Sequence, residues 1–188
     1  EDSIEDAARI NDGLPQGLDQ YIAQQGLTYF KIKVGGDVDA DVERLAQIAE
    51  VISGIDNVTV TLDGNEQYSD PDLLVSLLDR LESGSDPVRR LYNSIIYLEQ
   101  PLDRAICLDV SVAPQIHSLS ARIPLIIDEA DEGLDTFRLS VERGYRGVSS
   151  KVCKGMIKAL ANLGLCKTFS AEGPHHYFVT GEDLTNIP

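Results

Sequence analysis

Five short apolar runs, each ending in charged residues and each separated from the next by a longer polar and amphipathic stretch, constrain the fold of this chain more than any other feature. They are Phe30-Lys-Ile-Lys-Val34, Val58-Thr-Val-Thr-Leu-Asp-Gly-Asn65, Ile95-Ile-Tyr-Leu-Glu-Gln-Pro101, Pro124-Leu-Ile-Ile-Asp-Glu129 and Gly147-Val-Ser-Ser-Lys-Val152. Strands alternating with helices predict a parallel sheet joined by crossover connections. In a parallel α/β barrel the catalytic groups stand at the carboxyl ends of the strands. The five runs would bring Lys31 and Lys33, then Asp63, Glu99 and Asp128, then Lys151 to that rim. Converging carboxylates repel one another unless they hold a hard cation such as Mg²⁺. The pattern therefore predicts a metal-dependent proton-abstraction site.

The intervening segments read as helices with recognisable starts. Ser3 opens a capping signal with Asp6 three residues on, and Pro15 sits where a helix ending near Gly26 would begin. Residues 37–53 carry Val42, Leu45, Ile48, Ala49 and Ile52 at helical spacing. A helix over 70–83 starts at Pro71, and further helices are predicted over most of 103–119, over 133–143 and over 156–163. The run Gly84-Ser-Asp-Pro-Val-Arg-Arg90 reads as a turn-rich loop, and residues 177–180 as a short additional strand.

Length and composition limit the alternatives. The 188 residues, 43% hydrophobic and 25% charged, suit one soluble domain. A formal net charge of −15 argues against nucleic acid or an anionic membrane as partner. No apolar run approaches the length that crosses a bilayer. Three cysteines, Cys107, Cys153 and Cys166, match no zinc motif and read as free thiols in a reducing cytoplasm. If residues 151–153 continue the strand, Cys153 shares a face with Lys151. A closed eight-stranded barrel needs about 250 residues. The sequence, treated as a single partial barrel domain over 1–188, is therefore expected to be part of a larger protein in which the sheet edges are covered, with a homo-oligomer as the expected assembly.

Side-chain parity sharpens the site. Residues two apart on a strand share a face, so Lys31 pairs with Lys33, and Asp63 with Asn65. Two inward lysines need anionic partners, and the strand-end carboxylates can supply them. A positive surrounding also lowers a lysine's pKa towards the range of a general base. Taken singly, each acid could be a helix cap or a surface charge, and Glu66, Glu129 and Lys154 could be solvated rim charges. His175 and His176 form no dyad with a carboxylate.

The ordered set resembles the enolase superfamily, in its mandelate racemase and muconate-lactonizing enzyme branch, from Asn11-Asp-Gly-Leu-Pro15 to Glu182-Asp-Leu184. Lys31-Ile-Lys33 is similar to that family's second-strand lysine pair. Asp63-Gly-Asn65, Glu99-Gln-Pro101 and Asp128-Glu129 are similar to its metal-ligand motifs, and Ser150-Lys151-Val152 to its sixth-strand lysine. The resemblance implies a (βα)₈ TIM-type barrel preceded by a capping domain that has no counterpart here. It implies Lys33 and Lys151 as the acid–base pair, with Lys31 neutralising the carboxylate of a small substrate. Asp63, Glu99 and Asp128 would bind Mg²⁺ or Mn²⁺, with Asn65 and Glu129 acting on them electrostatically. The reaction would be that of a cytoplasmic isomerase or lyase working through an ene-diolate: racemisation or epimerisation, dehydration, or cycloisomerisation. Two alternatives stay open: a class I aldolase with Lys151 as the Schiff-base nucleophile, and a metal-binding barrel without catalysis.

Overall fold

The computed structural model describes residue 10 and residues 12–181. Six strands form one parallel sheet in sequential order: β1 (Tyr29–Lys33), β2 (Thr59–Asp63), β3 (Ile95–Glu99), β4 (Leu125–Ile127), β5 (Gly147–Ser150) and β6 (Phe178–Gly181). The last of these is the short strand predicted from residues 177–180. Between them run α1 (Leu18–Gln25), α2 (Val38–Ile52), α3 (Pro71–Glu82), α4 (Asp86–Asn93), α5 (Ala113–Arg122), α6 (Thr136–Arg143) and α7 (Met156–Glu172). Among the described residues no helix is long and apolar enough to cross a membrane. The predicted opening helix lies outside the described residues.

Local chemistry explains the helix limits. The Asp37 carboxylate caps α2 by accepting from Asp39 N and Ala40 N, and Asp70 caps α3 at Asp72 N with Pro71 in the first turn. In α3, Leu74, Leu77, Leu78 and Leu81 recur at helical spacing and are fully buried. Each contributes about 1.5–3 kcal/mol of apolar burial. Two predictions need correction. Residues 86–93 form helix α4, not a loop, because Pro87 stands in its first turn and Val88 and Leu91 bury against α2 and α3. Conversely, residues 103–109 form turns, where Asp103 accepts from Ala105 N and Asp109 from Ser111 N, so the helix there begins only at Ala113. Helix α7 runs nine residues beyond Leu163.

The sheet is strongly curved, as half of a barrel wall would be. Phe30 and Ile32 are buried against the helices, while Tyr29, Lys31 and Lys33 point to the concave side. Tyr97 of β3 and Phe178 of β6 are three strand spacings apart, about 14 Å on a flat sheet. Their rings nevertheless meet across the concave face at 5.8 Å between centroids.

One irregularity decides the placement of a site residue. Val60 pairs with Ile95 and Thr61 with Tyr97, so Ile96 is an unpaired bulge residue. Without it, Asp63 would lie opposite Leu98 and Glu99 would turn towards the helices, since one step of register exchanges the two faces. With it, Asp63 lies opposite Glu99.

Candidate active site

The carboxyl ends of β1, β2 and β3 place Lys33, Asp63 and Glu99 in one register row. The Lys31 ammonium lies 2.8 Å from Asp63 Oδ2 and 2.9 Å from Glu99 Oε2. Lys33 Nζ donates to the same Asp63 Oδ2 at 2.6 Å and to Asn65 Oδ1 at 2.6 Å. Asn65 Nδ2 in turn donates to Glu129 Oε1 at 2.9 Å, which links the end of β2 to that of β4. The lysine pair, two of the carboxylates and the two supporting residues are thus brought together.

Asp128, just past β4, is held from the other side. Lys151 Nζ donates to its Oδ2 at 2.6 Å, and Lys154 Nζ to its Oδ1 at 2.8 Å, to its carbonyl at 2.7 Å and to the Ser149 carbonyl at 2.9 Å. Lys154 is therefore part of the site framework rather than a solvated rim charge. β5 ends at Ser150, so the strand predicted to run to residue 152 is shorter and the condition for Cys153 to share a face with Lys151 is not met. The chain turns into a 3₁₀ helix at 152–154, which carries Cys153 outward to solvent and brings Lys154 back over Asp128. Behind it, Lys158 donates to the Asp131 carbonyl, and Asn162 Nδ2 to Asp131 Oδ2 at 3.2 Å, all buried.

The electrostatics follow from this placement. Burial pushes the Asp63 carboxyl up, but hydrogen bonds from Lys31 and Lys33 outweigh it and the net shift is down. Asp128 behaves likewise, with Lys151 and Lys154 as the counterweights. Glu99 goes the other way. Burial raises it, and the negative charges of Asp63 and Asp128 add to that despite the Lys31 bond. Three carboxylates therefore sense one another across β2–β4.

Among the described residues no three acidic, His or Cys side chains are assembled as a ready coordination cluster. The oxygens of Asp63 and Asp128 are engaged by ammonium groups instead. The donor set nonetheless suits a hard divalent cation: it is all carboxylate oxygen, and Glu99 Oε1 and Glu129 Oε2 are buried with no hydrogen-bond partner.

The rim loops are braced to one another. Gly64 packs against the main chain of the next loop, where a Cβ would stand 2.6 Å from Pro101 Cα, so the Asp63-Gly-Asn65 motif admits only glycine at its centre without a shift. Tyr68 N donates to the Pro101 carbonyl at 3.0 Å. The Asp41 carboxylate accepts from Gly35 N, Gly36 N and Tyr68 Oη, tying the loop after β1 to that after β2. Arg104 forks onto both Glu66 oxygens, at 2.7 and 2.8 Å, and reaches Glu132 at 2.8 Å, so it joins the loops after β2, β3 and β4. From the sequence Lys154 reads at most as a solvated rim charge, and Arg104 and Asp41 carry no signal of a role. The spacing of Lys154 from Lys151, a single helical turn, was the one available signal.

Residues 14–185 match the family model for enolase C-terminal domain-like proteins. D-Ala-D/L-Ala epimerase of Cytophaga hutchinsonii is 31% identical over 109 residues, 58% of this chain and 25% of that relative. Among solved structures, a mandelate racemase/muconate lactonizing enzyme from Roseiflexus sp. superposes with a TM-score of 0.65 at 24% identity, covering 88% of this chain and 43% of that one. A dipeptide epimerase from Methylococcus capsulatus, complexed with Mg and the dipeptide L-Arg-D-Lys, gives 0.63 at 22% identity, covering 86% and 41%. The chain spans less than half the length of each of these relatives.

Proposed function

The chain belongs to the enolase C-terminal domain-like family, in its mandelate racemase and muconate-lactonizing branch, and on that premise we propose that it forms part of an isomerase that moves the proton α to the carboxylate of a small substrate. The observation that carries this reading is the placement of two lysines. Lys33 on β1 and Lys151 after β5 approach the carboxylate group from opposite ends of the sheet, one bonded to Asp63 and the other to Asp128. A substrate seated between them would present opposite faces of its α-carbon to the two amines.

In the neutral form, one lysine takes the α-proton onto Nζ as the C–H bond breaks, and the electron pair delocalises into the substrate carboxylate. The other, as an ammonium, returns a proton to the opposite face. Lys31, already midway between two acids, offsets negative charge on the substrate. Asp63, Glu99 and Asp128 would hold Mg²⁺ or Mn²⁺, with Asn65 and Glu129 behind them; such an ion, when bound, stabilises the negative charge that builds on the carboxylate oxygens. Epimerisation is preferred over dehydration or cycloisomerisation because it needs only the two opposed amines. The similarity to a D-Ala-D/L-Ala epimerase makes dipeptides the first substrates to try.

Among the described residues β1 and β6 pair on one side only, which supports a further part of the reading, that these six strands belong to an eight-stranded barrel that also has a capping domain. The test uses the protein that carries this chain. Deuterium should enter the α-position of both configurations of dipeptides or other small carboxylates from D₂O in the presence of Mg²⁺, and Lys33→Ala should lose that exchange for one configuration. Borohydride trapping of a carbonyl substrate on Lys151, with activity that survives EDTA, would instead establish an aldolase.

A further inference from the structure

Gln100 has no charge and no place in the proton transfer, yet the loops that follow three neighbouring strands converge on it. It is fully buried, and its backbone sits at φ +31°, in the left-handed region that side chains other than glycine rarely adopt. Asn65 and Glu66, at the end of the neighbouring strand, share that region. Every polar group of Gln100 is used. Its Oε1 accepts from Asp128 N at 2.8 Å and Ala130 N at 3.2 Å, and its Nε2 donates to the Leu102 carbonyl at 2.8 Å. Its own N–H donates to the Ile126 carbonyl at 2.8 Å, and its carbonyl accepts from Glu66 N at 2.8 Å. One residue therefore ties together the loops that follow β2, β3 and β4, next in sequence to Glu99 and bonded to the main chain of Asp128.

We propose that Gln100 is a positioning residue that fixes the Asp128 carboxylate relative to Glu99, and so sets the spacing of the three acids for a divalent cation. The inference rests on the reading of Asp63, Glu99 and Asp128 as cation ligands. Parallel pairing alone does not set this spacing, because β4 ends at Ile127 and Asp128 lies beyond the ladder. The Gln100 amide supplies the register that the sheet no longer enforces. The strained φ fits this role: it turns the side chain sideways, along the sheet, to reach the next strand's end.

The test is Mn²⁺ and Mg²⁺ affinity, by electron paramagnetic resonance and calorimetry on the full protein, taken well below each variant's melting temperature so that only folded molecules are read. Gln100→Met keeps the volume and removes both amide functions; affinity should fall about tenfold or more, as for other groups that orient ligands. Gln100→Glu keeps an oxygen facing Asp128 N and Ala130 N but loses the donor to the Leu102 carbonyl, and should recover part of the affinity that the Met variant loses. Should the Met variant not fold, Gln100→Asn, whose oxygen is withdrawn by one methylene, carries the same expectation. Phe137→Leu, a buried change in α6 away from the site, should lower the melting temperature and leave affinity unchanged. Wild-type affinity in the Met or Asn variant, or equal losses in Met and Glu, would overturn the role of Gln100 and leave the cation reading intact. A wild-type protein that binds neither ion would overturn both.

Discussion

Glu99 and Asp63 lie in register on neighbouring parallel strands, and a single ammonium, that of Lys31, stands within 2.9 Å of both carboxylates. Two buried acids side by side would raise one another's pKa; the lysine lowers that cost, and Glu99 still titrates above its usual range. The site is therefore a balanced charge cluster with its positive charge supplied by the protein. Any divalent cation or substrate entering it must displace or redirect these ammonium groups.

Replacing Lys31 by methionine should leave Glu99 facing Asp63 without the ammonium they share, with Lys33 still bonded to Asp63. Removing one partner of a well-buried pair costs about 3–5 kcal/mol, and Lys31 is partly exposed, so about 2 kcal/mol is expected here. Mg²⁺ should then recover more stability in the variant than in wild type, since it would take over the missing positive charge. Thermal denaturation with and without Mg²⁺ reads both effects. A variant that melts like wild type in metal-free buffer would show that Lys31 is not the bridge.

Opposed amines predict a divided loss of activity. Lys33→Ala and Lys151→Ala should each abolish net epimerisation while leaving α-proton exchange with D₂O for one configuration of the substrate, a different one in each variant. Proton NMR of both epimers over time checks this. Loss of exchange for both configurations in both variants would mean that the lysines do not divide the two faces between them.

Much of this site was legible because period and position agree. Phe30 and Ile32 alternate with Lys31 and Lys33, so β1 could be oriented from its sequence, and Asp63 follows the same rule. Glu99 was assigned to the site by its place at the end of an apolar run, but strict alternation from Ile95 would have sent it to the wrong face. Only the bulge at Ile96 restores it, and nothing in Ile95-Ile-Tyr-Leu-Glu99 marks which residue is left unpaired. Lys154 and Gln100 were not legible for a related reason. Apart from the Lys154 bond to Asp128 Oδ1, their partners are main-chain atoms of Asp128, Ser149, Ala130 and Leu102, and backbone groups leave no residue signature at a fixed spacing. Helix α4 was hidden by Gly84 and Pro87, which punctuate loops and helix starts alike.

The brace between Arg104 and Glu66 predicts a pH signature. Hydrogen bonds from Arg104 hold the Glu66 carboxyl below its ordinary 4.5, so the folded state binds that proton more weakly than the unfolded chain does. The stabilisation is fully present above about that pH and is lost as pH falls through the depressed value. Arg104→Met should therefore be less stable than wild type at pH 7, and the gap should close in more acidic buffers. Urea denaturation across pH 3–7 measures it. A gap that persists unchanged at the acid end would place the effect of Arg104 in packing rather than in its charge.

Gly64 offers the most direct test of how tightly the loops hold the acids. Its Cβ position lies 2.6 Å from Pro101 Cα, 3.2 Å from the Gln100 carbonyl and 3.3 Å from that of Pro101, all main-chain atoms or attached to them, which cannot rotate away as a side chain could. Gly64→Ala must separate the end of β2 from that of β3, at a cost of about 1–3 kcal/mol. The same movement would pull Asp63 away from Glu99 and from the shared ammonium of Lys31. Gly164, inside α7 with nothing within 4 Å of its Cβ position, is the matched control. Alanine there should stabilise by about 0.5–1 kcal/mol through helix propensity alone. Chemical denaturation separates the two, and the Gly64 variant should in addition bind Mn²⁺ more weakly. If Gly64→Ala were as stable as wild type, the contact between Asp63-Gly-Asn65 and Glu99-Gln-Pro101 would be looser than the structure has it, and the mutual positioning of the first two acids would have to come from the strands alone.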